Sequence, residues 1–205
     1  MTKELSELTI DELWALFPII LKEHNQEYFK WYSEMKTSLL DCLSETRNIK
    51  INHIGSSAVM GLLSKPTIDI LLEIPEESII DDISKQLLDD GWLLMSSTKI
   101  PAINYVFNKG YTKFGFADKV YHLHVRCEGD WDELYFRDYL IDNENVAKEY
   151  AKLKLSLIDL YRNNRDGYTE AKSDFIKEKT RAARILYGDR YKKKKAILDT
   201  SRIEV

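Results

Sequence analysis

A glycine followed by two serines opens the part of the sequence whose residue types could do chemistry. Gly55-Ser56-Ser57 follows a stretch of alternating polar and apolar residues from Ile49 to Ile54. Glycine has no Cβ and lets the backbone approach a phosphate, and serine adds hydroxyl and N–H donors for an anion. The tripeptide is therefore a candidate phosphate cradle. The same residues are also ordinary turn residues, so the tripeptide alone leaves both interpretations open.

Asp69 is a second candidate, because it interrupts an apolar segment. Residues Thr67 to Ile74 are mostly β-branched or apolar and predict a strand with alternating faces. One face carries Ile68, Ile70, Leu72 and Ile74, and the other carries Asp69, Leu71 and Glu73. An unpaired buried carboxylate is very costly, so Asp69 needs a cation or a partner. The non-catalytic alternative is that Asp69 accepts backbone N–H groups or pairs with Lys65.

Two histidines and an arginine share one face of a later predicted strand, Lys119 to Cys127. His122, His124 and Arg126 alternate with apolar residues. If this strand neighbours Asp69, that aspartate and one or both histidines could hold a single divalent cation, with zinc or manganese preferred over magnesium by imidazole. Alternatively, these three residues and Lys65 bind phosphate without a metal. A third interpretation places both histidines on the solvated side of an antiparallel strand.

The elements that must position these residues predict an α+β fold. Thr9 and Glu12 form a capping box for a first helix, and Gly91 ends a helix that begins at about Glu77. The remaining predicted helices are about Gln26 to Leu43, Trp131 to Leu140, Glu144 to Tyr161 and Thr169 to Tyr187. Further strands are predicted over Trp92 to Met95 and Ile103 to Phe107. Turns are predicted at Asn108 to Gly110 and at Ala117-Asp118. We expect one domain over residues 1–205, with N-terminal helices in about 1–45, a mixed core in 46–130 and C-terminal helices in 131–190.

Composition limits the function classes. The net charge of −4 argues against a protein that coats nucleic acid with its whole surface. From Ala147 onward, however, the sequence has 16 Lys and Arg and only 9 Asp and Glu. This excess of positive charge indicates either a basic face near an anionic ligand or a solvated helix surface with a basic tail at Lys192 to Lys195. The polar start and the apolar run Leu13 to Leu21, interrupted by Pro18, predict a cytoplasmic protein with no membrane partner.

Read together, these motifs resemble the GrpB family of nucleotidyltransferase-fold proteins. That family's pattern reads His-Ile-Gly-Ser-Thr-Ala-Val, Gly-Leu, Lys-Pro and Ile-Asp-Ile. This chain has His53 to Val59 with Ser57 in place of the threonine, then Gly61-Leu62, Lys65-Pro66 and Ile68-Asp69-Ile70. Later family segments match His122 to Val125, Phe136 to Leu140, and Tyr150, Leu153 and Lys154, so the resemblance covers roughly Tyr28 to Leu186.

The resemblance implies a nucleotidyltransferase-like mixed sheet of the polymerase β type, flanked by helices, with a helical C-terminal cap. It implies a divalent metal (Mg, Mn or Zn) and a nucleoside triphosphate substrate. In this chain the second acidic position of the polymerase β pattern is Leu71, and Glu73 lies about 13 Å along the strand from Asp69 at about 3.3 Å per residue. Ordinary chemistry with two bridged metal ions is therefore not expected.

The predicted site residues follow from the motifs and the resemblance. Asp69 and His124 are the predicted catalytic residues; Asp69, His122 and His124 the metal ligands; and Gly55, Ser56, Ser57, Lys65, Arg126, Arg137 and Lys154 the binding residues for a small phosphate-containing ligand. Tyr168 and Lys172 also fit the family pattern, but their spacing does not separate substrate contact from surface. Asp138 is expected to form an ion pair that holds its helix to the sheet.

Three functions fit this sequence. The first is nucleotidyl or related phosphoryl-group transfer to an unknown small acceptor. The second is a catalytically degenerate protein that binds a nucleotide or a coenzyme A-like ligand. The third is an RNA- or protein-interaction domain that uses the basic C-terminal helices, although no aromatic and basic RNA-binding signature is present in the sequence.

Overall fold

The computed structural model describes residues 3–192, so Lys193 to Lys195 of the basic tail lie outside the described residues. Its centre is a mixed five-stranded sheet in the order β1-β2-β5-β4-β3. The strands are β1 (Lys50–Ile54), β2 (Ile68–Ile74), β3 (Leu93–Thr98), β4 (Asn104–Thr112) and β5 (Gly115–Cys127). Strand β2 runs parallel to β5, and the other neighbouring pairs are antiparallel.

Seven α-helices accompany the sheet within the described residues. They are α1 (Ile10–Leu16), α2 (Glu27–Cys42), α3 (Ile80–Asp89), α4 (Asp132–Asp142), α5 (Glu144–Tyr161), α6 (Arg165–Glu170) and α7 (Ser173–Tyr187). The predicted capping box of α1 is confirmed, because Thr9 accepts from the Glu12 N–H and the Glu12 carboxylate accepts from the Thr9 N–H. None of these helices is both long and apolar enough to cross a membrane.

Strand β2 is central and has a buried residue at almost every position, as parallel strands with both faces covered do. Its predicted core face is confirmed: Ile68, Ile70, Leu72 and Ile74 pack in the main core with residues of α2, α3, β4 and β5. On the opposite face Leu71 packs with Ile54 and Leu134 beneath α4. The site residues therefore lie on the face of the sheet that the C-terminal helices cover.

The hairpin between β4 and β5 differs from the sequence prediction. Asn108 to Gly110 belong to β4 and Ala117-Asp118 to β5, so neither segment is a turn. The chain reverses between Thr112 and Gly115, which are register partners. Gly110 has a φ of +91° and sits at a register shift between Lys109 and Tyr111, which marks a β-bulge. Gly110, which predicts a turn in the sequence, therefore marks a bulge inside a strand.

The C-terminal helices also differ in one boundary. The helix predicted from about Thr169 is two helices, α6 and α7, which break between Glu170 and Ser173. The Asn164 side chain accepts from the Gly167 N–H and caps α6, and Gly188 ends α7 with a φ of +57°, as expected for a C-terminal glycine. This break places Lys172 between the two helices.

Candidate functional site

The register between β2 and β5 brings the predicted residues together. Asp69 is the partner of His122, and Leu71 is the partner of His124. The histidines therefore neighbour Asp69 on a parallel strand pair, and the interpretation that they lie on a solvated antiparallel strand is wrong for this pair. His122 Nδ1 lies 3.0 Å from Asp69 Oδ1.

Asp69 ends a chain of four polar side chains. Arg165 Nη2 donates to the Tyr111 hydroxyl at 2.9 Å, and the Tyr111 hydroxyl lies 2.7 Å from His122 Nε2. With Tyr111 donating to Nε2, His122 carries its proton on Nδ1 and donates it to Asp69. Burial favours the protonated form of Asp69, but the hydrogen bond from His122 and the nearby charge of Lys65 hold its pKa well below the ordinary range. Asp69 is therefore ionised at neutral pH.

Gly55 begins the turn beside Asp69. Its φ is +69°, a backbone conformation that favours glycine, and a short 3-10 helix over Ser56–Ala58 follows it. A Cβ at position 55 would lie 2.4 Å from Asp69 Oδ2. The candidate phosphate cradle and the aspartate are therefore packed against each other, and glycine is required by both conformation and space.

Asp69 and Gly55 line a small cavity of about 120 Å³, the lysine cavity. Its lining residues are Leu21, Gly55, Ser56, Ser57, Ser64, Lys65, Thr67, Asp69, Tyr150, Lys154, Tyr168 and Lys172. Lys154 is only 3 % exposed and donates to Ser56 Oγ at 3.0 Å and to the Leu63 carbonyl. The Tyr168 hydroxyl is buried and has no hydrogen-bond partner among the described residues.

The lysine cavity has more cationic than anionic groups. Burial, and then the charges of Lys172 and Lys65, lower the pKa of Lys154 to about 7. Burial and the charge of Lys65 likewise lower the pKa of Lys172 to about 7, and burial lowers that of Lys65. Within the described part of the chain, Asp69 is the one carboxylate that lines this cavity. An anionic ligand would restore the charge of these amines.

Beside the lysine cavity lies an open groove of about 880 Å³ between the sheet and the C-terminal helices. The two spaces share Gly55, Ser56, Asp69, Tyr150 and Lys172. His124 and Arg126 line the groove, and burial lowers the pKa of His124 to about 4, so its imidazole is neutral at pH 7. Arg126 Nη2 donates to Glu133 at 2.7 Å, and its Nη1 is buried without a hydrogen-bond partner among residues 3–192.

The three predicted metal ligands do not form a three-ligand site. No group of three His, Cys, Asp or Glu side chains in the described residues is arranged to hold a metal ion. Both ring nitrogens of His122 are engaged, Nδ1 by Asp69 and Nε2 by Tyr111. Binding of one ion by His122 and Asp69 together would break the hydrogen-bonded chain, so these residues do not fit a protein-built metal cage.

Arg137 and Asp138 lie apart from both spaces. Arg137 Nη1 donates to the His53 carbonyl at 3.0 Å, and its Nε and Nη2 donate to Asp138 at 2.9 and 2.7 Å. Asp138 also pairs with Arg190 and accepts from the Tyr191 hydroxyl. The expected ion pair of Asp138 is formed with Arg137, which itself contacts the sheet through the His53 carbonyl, and Asp138 also joins Arg137 to the segment after α7.

Four residues of the site were not assigned from the sequence. Lys172 and Tyr168 fitted the family pattern but their spacing gave no role, because neither α6, which carries Tyr168, nor the break after it, which holds Lys172, was predicted. Tyr111 and Arg165 had no local signal, since they reach His122 from a strand bulge and a helix start. The phosphate-cradle residues, Lys65, Lys154 and Asp69 do line one cavity.

Known proteins are similar to this chain in sequence or in fold. Glutamate-rich protein GrpB of Alkalihalophilus pseudofirmus is 32% identical over 164 residues, which are 78% of this chain and 92% of that protein. The crystal structure of the conserved protein GrpB from Enterococcus faecalis matches with a TM-score of 0.71 at 25% identity, over 82% of this chain and 99% of that one. A structure of Cid1 in complex with its short product ApU matches at a TM-score of 0.46 and 13% identity, over 64% and 41% of the two chains.

The match to the GrpB structure from Enterococcus faecalis and the observed strand order confirm the predicted fold, a mixed sheet flanked by helices with C-terminal helices over one face. The similarity to Cid1 is too weak to carry any argument about activity. The sequence model described as GrpB protein matches residues 18–182, a range that includes Gly55, Asp69, His122, Lys154 and Lys172. This chain therefore belongs to the GrpB protein family.

Proposed function

We propose that this protein binds the phosphate groups of a nucleotide in the lysine cavity. The observation that carries the proposal is that Lys65, Lys154 and Lys172 line the same cavity as the Gly55-Ser56-Ser57 turn. Buried amines without matching carboxylates are costly, and an anion offsets that cost. Charge-assisted hydrogen bonds from lysine to phosphate are also stronger than neutral ones.

The unpaired groups of the cavity support the same ligand. Neither Lys65 nor Lys172 forms a hydrogen bond or ion pair with another described residue, and the Nζ of Lys172 lies over the Tyr168 ring at 4.1 Å. The Tyr168 hydroxyl is buried and unpartnered. Buried polar groups normally have partners, and phosphate oxygens would accept from all three side chains. A volume of about 120 Å³ accommodates phosphate groups and leaves no room for a whole nucleotide.

Nucleotidyl transfer is the second proposed activity, because the lysine cavity meets the open groove at Asp69. A donor held by its phosphates in the cavity would present phosphorus to an acceptor in the groove. Efficient general bases have a pKa near the working pH, and Asp69 is far below it. Asp69 would therefore act as a fixed negative charge that orients groups. The lysines would stabilise charge that develops on the phosphate oxygens.

A divalent cation would reach this site with the ligand. Magnesium bound to substrate phosphates needs only one or two protein carboxylates and keeps several waters. Asp69 offers one carboxylate, with Oδ1 bonded to His122 and Oδ2 on the side of Gly55. Leu71, in the second acidic position, is completely buried and cannot contribute a ligand.

A thermal-shift panel tests the binding proposal. The panel holds nucleoside triphosphates, coenzyme A, dephospho-coenzyme A and inorganic tripolyphosphate, each with and without magnesium, manganese or zinc. We expect the polyphosphate-containing ligands to raise the melting temperature of the wild-type protein and to have a smaller effect on Lys172→Met. Equal shifts for both proteins, or none for either, would reject the lysine cavity as the binding site.

Turnover of a labelled nucleoside triphosphate then separates transfer from binding. We expect release of pyrophosphate by the wild-type protein and none by Asp69→Asn under conditions where both bind the nucleotide. Binding without pyrophosphate release in the presence of candidate acceptors would favour a sensor or a sequestering protein.

A further inference from the structure

A second cavity adjoins the lysine cavity on the other side of Lys65. It has a volume of about 330 Å³, and three aromatic side chains, Tyr28, Trp31 and Phe116, line it. We call it the aromatic cavity. Its volume is at the lower end of the range of pockets that hold small organic ligands, about 300–1,000 Å³.

The two cavities share lining residues. Lys65 and Thr67, which precede β2, line both spaces. A single molecule that spans Lys65 would place an anionic group in the lysine cavity and an uncharged ring in the aromatic cavity. The positive charge of Lys65 would lie where the two parts of such a molecule join.

Arg165 connects the aromatic cavity to the aspartate. Its side chain lines the aromatic cavity and donates to the Tyr111 hydroxyl, which continues through His122 to Asp69. A ligand in the aromatic cavity thus contacts a group that is hydrogen-bonded, through two side chains, to the carboxylate of the lysine cavity. The two spaces are therefore linked by this hydrogen-bonded chain as well as by Lys65 and Thr67.

We propose that the aromatic cavity binds the base of a nucleoside polyphosphate whose phosphates lie in the lysine cavity. The inference rests on the proposed function and adds to it the binding site of the base. Aromatic side chains stack on the π-face of any base, and the partly exposed Trp31 and Phe116 provide such surfaces, whereas Tyr28 is only 1 % exposed. Asn25 and Asp118, which also line the cavity, supply an amide and a carboxylate for the polar edge of a base.

The test compares nucleoside triphosphates with inorganic tripolyphosphate, which has the phosphates and lacks the base. Calorimetric titrations use the wild-type protein, Phe116→Ala, Trp31→Leu and the control Phe114→Ala. Phe114 lies in the same hairpin as Phe116 but is 78 % exposed and does not line the cavity. A second readout is quenching of tryptophan fluorescence by the base, measured on the wild-type protein and on Trp31→Phe.

We expect the wild-type protein to bind nucleoside triphosphates more tightly than tripolyphosphate. Phe116→Ala and Trp31→Leu should each weaken nucleotide binding by roughly tenfold or more, as loss of base stacking does, and leave tripolyphosphate binding unchanged. Phe114→Ala should bind both ligands like the wild type. Quenching should be lost in Trp31→Phe.

Three results would overturn the inference, and they are distinguishable. If tripolyphosphate binds as tightly as nucleotides and Phe116→Ala weakens both equally, the base does not occupy the aromatic cavity, while phosphate binding in the lysine cavity stands. If neither ligand binds the wild-type protein, the proposed function fails and this inference fails with it. Tighter binding of an apolar acyl-chain phosphate than of any nucleotide would also reject the base as occupant.

Discussion

Gly55 and Asp69 are packed so closely that a methyl group on Gly55 would lie 2.4 Å from Asp69 Oδ2. The turn that follows β1 thereby fixes the position of the carboxylate on β2, and His122 fixes it from the other side. The phosphate cradle and the carboxylate thus form one structural unit.

Gly55→Ala should displace Asp69 and weaken binding of tripolyphosphate. The substitution adds the clash with Asp69 to the strain of a positive φ, which alone costs roughly 1–2 kcal/mol. Gly61→Ala is the matched control, because Gly61 has a φ of +75° and nothing within 4 Å of an added Cβ. Urea denaturation should show destabilisation of both variants, larger for Gly55→Ala because of the added clash, and calorimetric titration should show lost affinity only in Gly55→Ala. Equal affinities would show that this contact does not matter for binding.

Asp69→Asn should have opposite effects without and with a divalent cation. Without one, removal of a negative charge beside three lysines should strengthen binding of tripolyphosphate several-fold. With magnesium, the wild-type protein should gain more affinity than the variant, since the carboxylate is the ligand offered to the ion. The measurement is titration in the presence of EDTA or excess magnesium. Weaker binding by the variant in EDTA would contradict this role.

Anion binding should take up protons above neutral pH. Lys154 and Lys172 have a pKa of about 7 in the unliganded protein because they are buried, and a bound phosphate raises the pKa of both. The affinity should therefore fall as the pH rises from about 7 to 9. Calorimetry at pH 8 in buffers of different ionisation enthalpy measures the uptake directly. The double variant Lys154→Met, Lys172→Met should take up fewer protons than the wild type, because only Lys65 remains, and absence of uptake in the wild type would count against buried lysines as ligands.

The unliganded protein should become more stable as the pH rises above 7. Lys172 has a pKa of about 7 in the folded chain against an ordinary value of 10.5, so the unfolded chain binds more protons between these values. The free energy of unfolding then rises with pH in this window. Lys172→Met should be more stable than the wild type at pH 6 and show a smaller rise by pH 9. Lys177→Met, at a position 69 % exposed on α7, should behave like the wild type in urea denaturation.

The parts of the fold that were predicted from the sequence are those in which a local sequence pattern determines the element. The alternation in β2, the capping box of α1 and the glycine that ends α7 are each local, and each is present in the structure. The hairpin was mispredicted because Gly110 signals a turn and a bulge equally well, and only pairing with β5 decides between them. The register that brings His122 to Asp69 is likewise set by a tertiary contact, the pairing of β2 with β5.

The site was predictable only in part for the same reason. A Gly-Ser turn and an aspartate within an apolar strand are local patterns that indicate a phosphate site, so Gly55, Ser56 and Asp69 could be assigned to the site from the sequence. The positions of Lys172 and Arg165 in the site depend on how α6 and α7 are placed in the fold, and no sequence pattern predicts that placement. The metal prediction used residue types alone; it did not include Tyr111, which occupies the second nitrogen of His122.

The central claim is that the lysine cavity binds phosphate, and one titration tests it most directly. Calorimetry at pH 7 compares binding of inorganic tripolyphosphate to the wild-type protein, to Lys172→Met and to Lys177→Met. Loss of a charge-assisted hydrogen bond of about 1.5–3 kcal/mol predicts that Lys172→Met binds roughly 10- to 150-fold more weakly, while Lys177→Met binds like the wild type. Equal affinity of all three proteins, or no binding by the wild type, would contradict the claim.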